Sequence, residues 1–341
     1  MATIFKTISS DNVTSTRTLL HENVPVTGTI VSGSTYNDTN IKNYAHGMFQ
    51  SVYDYPYLSS SANHLFDLSA GYFTGSGANN PANSQNSKKV NVYGQMAQVL
   101  VGHDATGSVM AFDRDGDLSA GSKINEAYFV NLSRLLSKDE LKKGTFRLTL
   151  GDGAAWTSPD SSTVVVGDYG ASTSHKSNSP AGEYAVLYTS SAEANSDSGV
   201  GLLYYQAGVA VLTASVFGAA TEMSSSTDDA ETVLTSAPIK TSADGIRHRV
   251  VNLAFNNTIE LNSTIYFCQA NANEFNYSSN PSYLNGSKIR VKDVSQDSPS
   301  AYITSVGLYS ADNELLATAK VSEPLKKDPS STMTLRVRLD Y

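Results

Sequence analysis

Three carboxylates at alternate positions, in Asp113-Arg-Asp-Gly-Asp117, form the most ligand-like constellation in this sequence. Aspartates so spaced can turn their oxygens toward one hard cation such as Ca²⁺, which takes several oxygen ligands. The run departs from an EF-hand loop in two places. Its glycine is Gly116 rather than the sixth residue, and Ile124 stands where the bidentate glutamate belongs. Asp113, Asp115 and Asp117 are therefore candidates for an incomplete metal site, beside the plainer reading of a tight acidic turn.

Other residue types with chemical capacity are scattered. His21, His46, His64, His103, His175 and His248 show neither His-x₃-His spacing nor a paired glutamate. No Gly-x-Ser-x-Gly run exists to hold a nucleophilic serine on a strained turn. Gly75-Ser-Gly77 and Gly151-Asp-Gly153 lie in polar stretches, not between a strand and a helix, so they are not phosphate cradles. Cys268 is the one cysteine, which excludes an internal disulfide framework, and its strand-like surroundings suit a buried, inert thiol. A lone Trp156 argues against a sugar-stacking platform. No catalytic or cofactor-binding residue is assigned.

Composition narrows the partners. Only 16% of the 341 residues are charged, and the formal net charge is −8. Nucleic-acid binding is excluded as an expectation, because a basic stripe is missing. The N-terminal run Met1-Ala-Thr-Ile-Phe has no signal-peptide pattern. The longest apolar stretch, Val200 to Val216, is broken by Gln206, Gly208 and Thr213, so no membrane partner is expected. Tyr is abundant at 19 residues, which suits strands and protein contacts.

The elements that position these residues read mainly as strands. In Thr332 to Tyr341, odd-numbered Met333, Leu335, Val337, Leu339 and Tyr341 alternate with Thr334, Arg336, Arg338 and Asp340, the period of a half-buried strand. Tyr184–Tyr188 and Val200–Gln206 suggest a hairpin joined by Thr189–Gly199, and Val306–Tyr309 with Leu315–Val321 another. Thr145–Leu150, Thr163–Val166, Val250–Phe255, Ser263–Cys268 and Ser287–Val291 read as further short strands. Helix is expected in two places: over Ala62–Leu68, capped by Ser59–Ser61, and over Asn131–Lys143, with a Ser137/Glu140 capping box. Periodicity leaves Val90–Val101 open between helix and strand. Gly75–Ser87 and Gly151–Pro159 are expected to be exposed or flexible loops, and Ser224–Asp229 a seam. The expectation is a mainly β protein of antiparallel β-sandwich domains with a few short helices, divided into 1–223 and a C-terminal sandwich over 230–341.

The stretch Tyr302-Ile-Thr-Ser-Val-Gly-Leu-Tyr-Ser-Ala-Asp-Asn-Glu-Leu-Leu-Ala-Thr-Ala-Lys, with Pro324 and the final alternating strand, resembles a segment that recurs in tailed-phage tail, collar-fibre and baseplate proteins. Arg17-Thr-Leu-Leu-His-Glu, His46-Gly-Met-Phe-Gln-Ser-Val-Tyr-Asp-Tyr-Pro-Tyr and Ser179-Pro-Ala-Gly-Glu-Tyr are similar to virion structural proteins of large contractile-tailed phages, those of cyanobacteria included. The resemblance implies a non-enzymatic virion component of tail, baseplate or neck, made in the host cytoplasm. It would be homo-oligomeric, with other virion proteins as partners. The alternatives are a host-adhesion or glycan-binding β-module and a capsid-associated decoration protein.

Overall fold

A computed structural model describes residues 5–27, 38–119, 121–194, 198–218, 221–224, 228–292 and 294–341. The strands of the first half are β1 (Val13–Thr27), β2 (Ile41–Asn43), β3 (Gln50–Tyr53), β4 (His64–Tyr72), β5 (Phe112–Asp113), β6 (Lys123–Ile124), β7 (Glu126–Leu132), β8 (Glu140–Leu141), β9 (Arg147–Gly151) and β10 (Thr163–Gly167). They are followed by β11 (Lys176–Ser179), β12 (Gly182–Leu187), β13 (Gly201–Tyr204), β14 (Val209–Thr213), β15 (Val250–Ala270), β16 (Leu284–Asn285), β17 (Lys288–Ile289), β18 (Ala301–Tyr309), β19 (Leu315–Lys327) and β20 (Met333–Asp340). The helices are α1 (Asn86–Leu100), α2 (Arg134–Ser137), α3 (Ala171–Ser174), α4 (Ala230–Ser236) and α5 (Ile239–Arg249). Sheets are antiparallel and helices few and mostly short, the class expected.

The chain forms two compact units, Leu19–Ile259 and Met1–Thr18 with Glu260–Tyr341. The expected boundary lay at 223–230, in a segment whose residues 225–227 fall outside the described ones. The division found runs through β15, so α4, α5 and the first half of β15 belong to the larger unit.

The larger unit is built on an eight-stranded sheet in the order β11-β12-β13-β14-β7-β4-β3-β2. Successive residues feed two cores. Tyr128, Val130 and Leu132 of β7 enter one, and Ala127 and Phe129 the other. A sheet buried on both faces needs unbroken apolar runs, which is why Ala127–Val130 and Val209–Leu212 carry no polar alternation. One face meets residues of the β10-β9-β15 sheet, among them Leu148, Leu150, Val166, Leu253 and Phe255. The other is covered by α1 through Val92, Tyr93, Ala97 and Leu100. Gly71 of β4 lets α1 approach, since a Cβ there would stand 2.5 Å from the Lys89 carbonyl oxygen.

Both helix expectations need correction. Ala62–Leu68 is not a helix but the start of β4, where Phe66 and Leu68 face Leu132 and Val130 of β7. Ser59 does accept a bond from the Ser61 amide at 3.2 Å, but it closes a turn. Asn131–Lys143 shrinks to the single turn α2, because Leu132 is held in β7 and Leu135 is 78% exposed. Lys138 then takes φ 55°, and Glu140 enters β8 opposite Thr258, so the capping box does not form. Val90–Val101 resolves as α1. Gly151–Pro159 is an anchored loop rather than a flexible one, held by Arg249. The two short strands expected at 250–255 and 263–268 are one, β15.

In the second unit, 260–270 of β15 is flanked by β1 and β20. Val337 of β20 is buried, and Met333, Leu335 and Leu339 are half-buried, while Thr334, Arg336 and Arg338 are exposed, as the alternation predicts. Tyr341, expected on the same dry face, lies past the strand end and is 75% exposed. β18 and β19 form a hairpin that extends beyond the expected Val321 to Lys327, and β16 and β17 a smaller one.

Candidate functional site

The acidic run of Asp113–Asp117 lies in the larger unit, between β5 and β6, whose pairing sets Asp113 opposite Lys123. One carboxylate oxygen from each of Asp113, Asp115 and Asp117 comes within 4.8 Å of the others, so the structure brings all three candidates together. They differ in setting: Asp113 is fully buried, Asp115 half-buried and Asp117 exposed. Lys123 Nζ lies 3.0 Å from Asp113 Oδ2 and donates to the Ser119 carbonyl at 2.5 Å. Asp113 Oδ2 is paired with Lys123, and the Asp113 and Asp117 carboxyls interact with each other. Among the described residues no N–H donates to Asp113 Oδ1 and no cation contacts it. Burial pushes the Asp113 carboxyl up from the usual carboxylate range, against the pull of Lys123. The Asp117 carboxyl is held below that range by the Ser119 amide and hydroxyl, which donate at 2.7 and 2.8 Å. The loop is anchored from β11 and β12, where Asn178 Nδ2 and the Tyr184 hydroxyl donate to the Gly116 carbonyl at 3.2 and 2.9 Å. Lys123 escaped sequence reasoning because it meets Asp113 only across a strand pair.

Asp168, Lys89, Arg249 and His248, buried polar groups of the larger unit, act as joints. Asp168 accepts from the Gly144 and Phe146 amides, Arg147 Nη1 and the Tyr205 hydroxyl at 2.6, 3.0, 3.1 and 2.8 Å. A carboxylate with four donors is a knot for β9 and its neighbours, not a free base. Fully buried Lys89 of α1 donates to the Thr235 carbonyl, in the last turn of α4, at 2.9 Å. Burial lowers its amine to about 8. Arg249 Nη1 spans the Gly151 and Gly153 carbonyls at 2.8 Å each, and its Nη2 donates to Glu222 O at 2.6 Å. Beside it, His248 Nε2 contacts the Trp156 carbonyl at 2.7 Å.

The six histidines are dispersed, as expected: His64 pairs with Asp67 at 2.9 Å and His175 with Glu183 at 3.3 Å, both on the larger unit. The Cys268 thiol is half-buried and pushed up by desolvation, so little thiolate is available at neutral pH. Among the described residues, Asp113, Asp115 and Asp117 are the one group of His, Cys and acidic side chains gathered closely enough to hold a metal ion. Among the same residues no helix is long and apolar enough to cross a membrane.

The second unit offers a surface rather than a site. Among described residues it holds four buried core hydrophobics: Ala270, Ala301, Leu308 and Val337. Of the twenty large hydrophobics exposed across the described chain, it carries twelve, including Tyr302, Tyr309, Leu315, Leu316 and Tyr341, on fewer than a third of the residues. Among the described residues β18 and β19 pair only with each other, and most of their residues are at least partly exposed. Charge divides in the same way. The second unit has ten basic and ten acidic residues, against fourteen and twenty-two in the larger one. Comparison with protein-family models, curated proteins and solved structures returns no match for this chain.

Proposed function

We propose that this protein is a non-enzymatic structural subunit of a contractile-tailed phage particle, fixed in tail, baseplate or neck by contacts that its second unit makes. The thin core of that unit carries the assignment. Four buried hydrophobics, two of them alanines, leave little to oppose the conformational entropy of ordering so many residues. A two-stranded hairpin is marginal by itself in water, and β18–β19 presents Tyr302, Tyr309, Leu315 and Leu316 outward. Exposed Tyr and Leu on a unit without net charge suit burial against another subunit, where aromatic residues concentrate. The larger unit, with its two cores and its excess of eight negative charges, is the self-sufficient body.

The phage setting rests on the likeness of Tyr302–Lys320 and the N-terminal blocks to virion proteins. Mass spectrometry of purified particles of the phage that encodes the chain tests it. The protein is expected at fixed stoichiometry with other tail proteins, and its absence from intact particles contradicts the assignment.

A further inference from the structure

We infer that Asp113, Asp115, Asp117 and the Ser119 carbonyl form an exchangeable site for a divalent cation of the Ca²⁺ class, in which the Lys123 ammonium stands in for the ion. The first observation is the convergence of three carboxylates. The second concerns Asp113 itself. It is fully buried and turned into the cluster, yet apart from the Asp117 carboxyl its Oδ1 has, among the described residues, no donor and no cation, while Oδ2 has Lys123 at 3.0 Å. A carboxylate oxygen out of water and without a donor is costly, and a metal ion is a partner that relieves it.

Lys123 marks where the ion would sit. Its ammonium touches Asp113 Oδ2 and, at 2.5 Å, the Ser119 carbonyl, so a positive centre already bridges the first aspartate and a backbone oxygen six residues on. With all three carboxylates ionised, one ammonium leaves two negative charges uncompensated. Carboxylates about 5 Å apart repel by roughly 1–3 kcal/mol per pair at effective dielectric constants of 80 to 20. A dication neutralises that excess where a single ammonium does not. The Lys123 side chain is 28% exposed on a flexible stem, so its head can move to water when the ion enters. An all-oxygen donor set of uneven exposure suits Ca²⁺ better than Mg²⁺, which demands a regular octahedron. Leu118, the sixth residue of the run, has φ 61°, so the loop turns where calcium loops carry glycine. The site lies wholly within the larger unit and does not depend on the assembly role.

Calorimetric titration of the full chain with CaCl₂ tests the site. The native protein is expected to bind one ion with a dissociation constant of ~0.1–1 mM, as weak extracellular calcium modules do. Lys123→Gln removes the internal competitor and is expected to tighten binding about tenfold. Asp115→Asn combined with Asp117→Asn, at positions that are not fully buried, is expected to abolish binding while melting like the native chain in chelator. Absence of binding by the native protein up to about 10 mM, well above that range, overturns the site whatever Lys123→Gln does. Native binding that survives the double Asp change overturns it too.

Discussion

Trp156, the sole tryptophan, stacks on His248 with ring centroids 4.0 Å apart, which gives the larger unit a built-in optical probe. Burial lowers the His248 pKa, so the imidazole stays neutral in the fold below the pH at which a free histidine charges. With the folded pKa depressed below the unfolded value of 6.5, this group contributes stability that is present above pH 6.5 and lost as pH falls through the folded pKa. Trp156 emission should be quenched by the imidazolium with a midpoint below 6.5, and a midpoint at or above 6.5 would show an unburied ring. Lys89 is a second residue-scale case. Its amine titrates near 8 in the fold against 10.5 when free, so the unfolded state binds the extra proton between those values and stability rises with pH there. Denaturation from pH 8 to 10.5 should therefore show the native protein gaining on Lys89→Met, by on the order of 3 kcal/mol at most. At this scale the acidic triplet was legible, because Asp113, Asp115 and Asp117 are neighbours in sequence. Lys123, Lys89 and Arg249 were not, since each acquires its role from a partner on another element.

β20, with a solvent face, was readable, and of the strands buried on both faces β12 and β13 were read as a hairpin while β4 and the end of β7 were not. β20 shows its period directly because Arg336 and Arg338 alternate with Leu335 and Val337. β7, at the middle of the central sheet, reads as an apolar block whose last residues Asn131 and Leu132 merge with α2 into a false helical pattern. Tertiary pairing with β3 and β7 likewise overrode the serine cap before β4. Two predictions belong here. Gly71→Ala drives a methyl against the Lys89 carbonyl of α1 and should lower stability by about 1–3 kcal/mol, measured by urea denaturation. Deleting Met333–Tyr341 strips β20 from 263–270 of β15 and uncovers an edge with an apolar face. Aggregated protein is expected, and a soluble truncation with unchanged melting would show that β20 closes nothing.

For the whole molecule, the net charge of −8 hid its most useful property, which is how unevenly that charge is shared. Composition led to the expectation of no nucleic-acid partner, but the split between a neutral unit and an acidic one depends on β15 passing from one to the other near residue 259. The mainly β class was legible in the spacing of strands and turns. The boundary was not, since a 21-residue strand reads as two short ones when Glu260–Asn262 interrupts its apolar pattern.

The claim that the second unit is completed by contacts between subunits is tested most directly by sedimentation velocity of the full chain, native and with Tyr309→Asp and Leu316→Asp together. The native protein should sediment as an assembly several times its 36.3 kDa mass, and the double variant should fall to the monomer with the melting of the larger unit preserved. A native chain that stays monomeric at high concentration, or an assembly indifferent to the two aspartates, would contradict it.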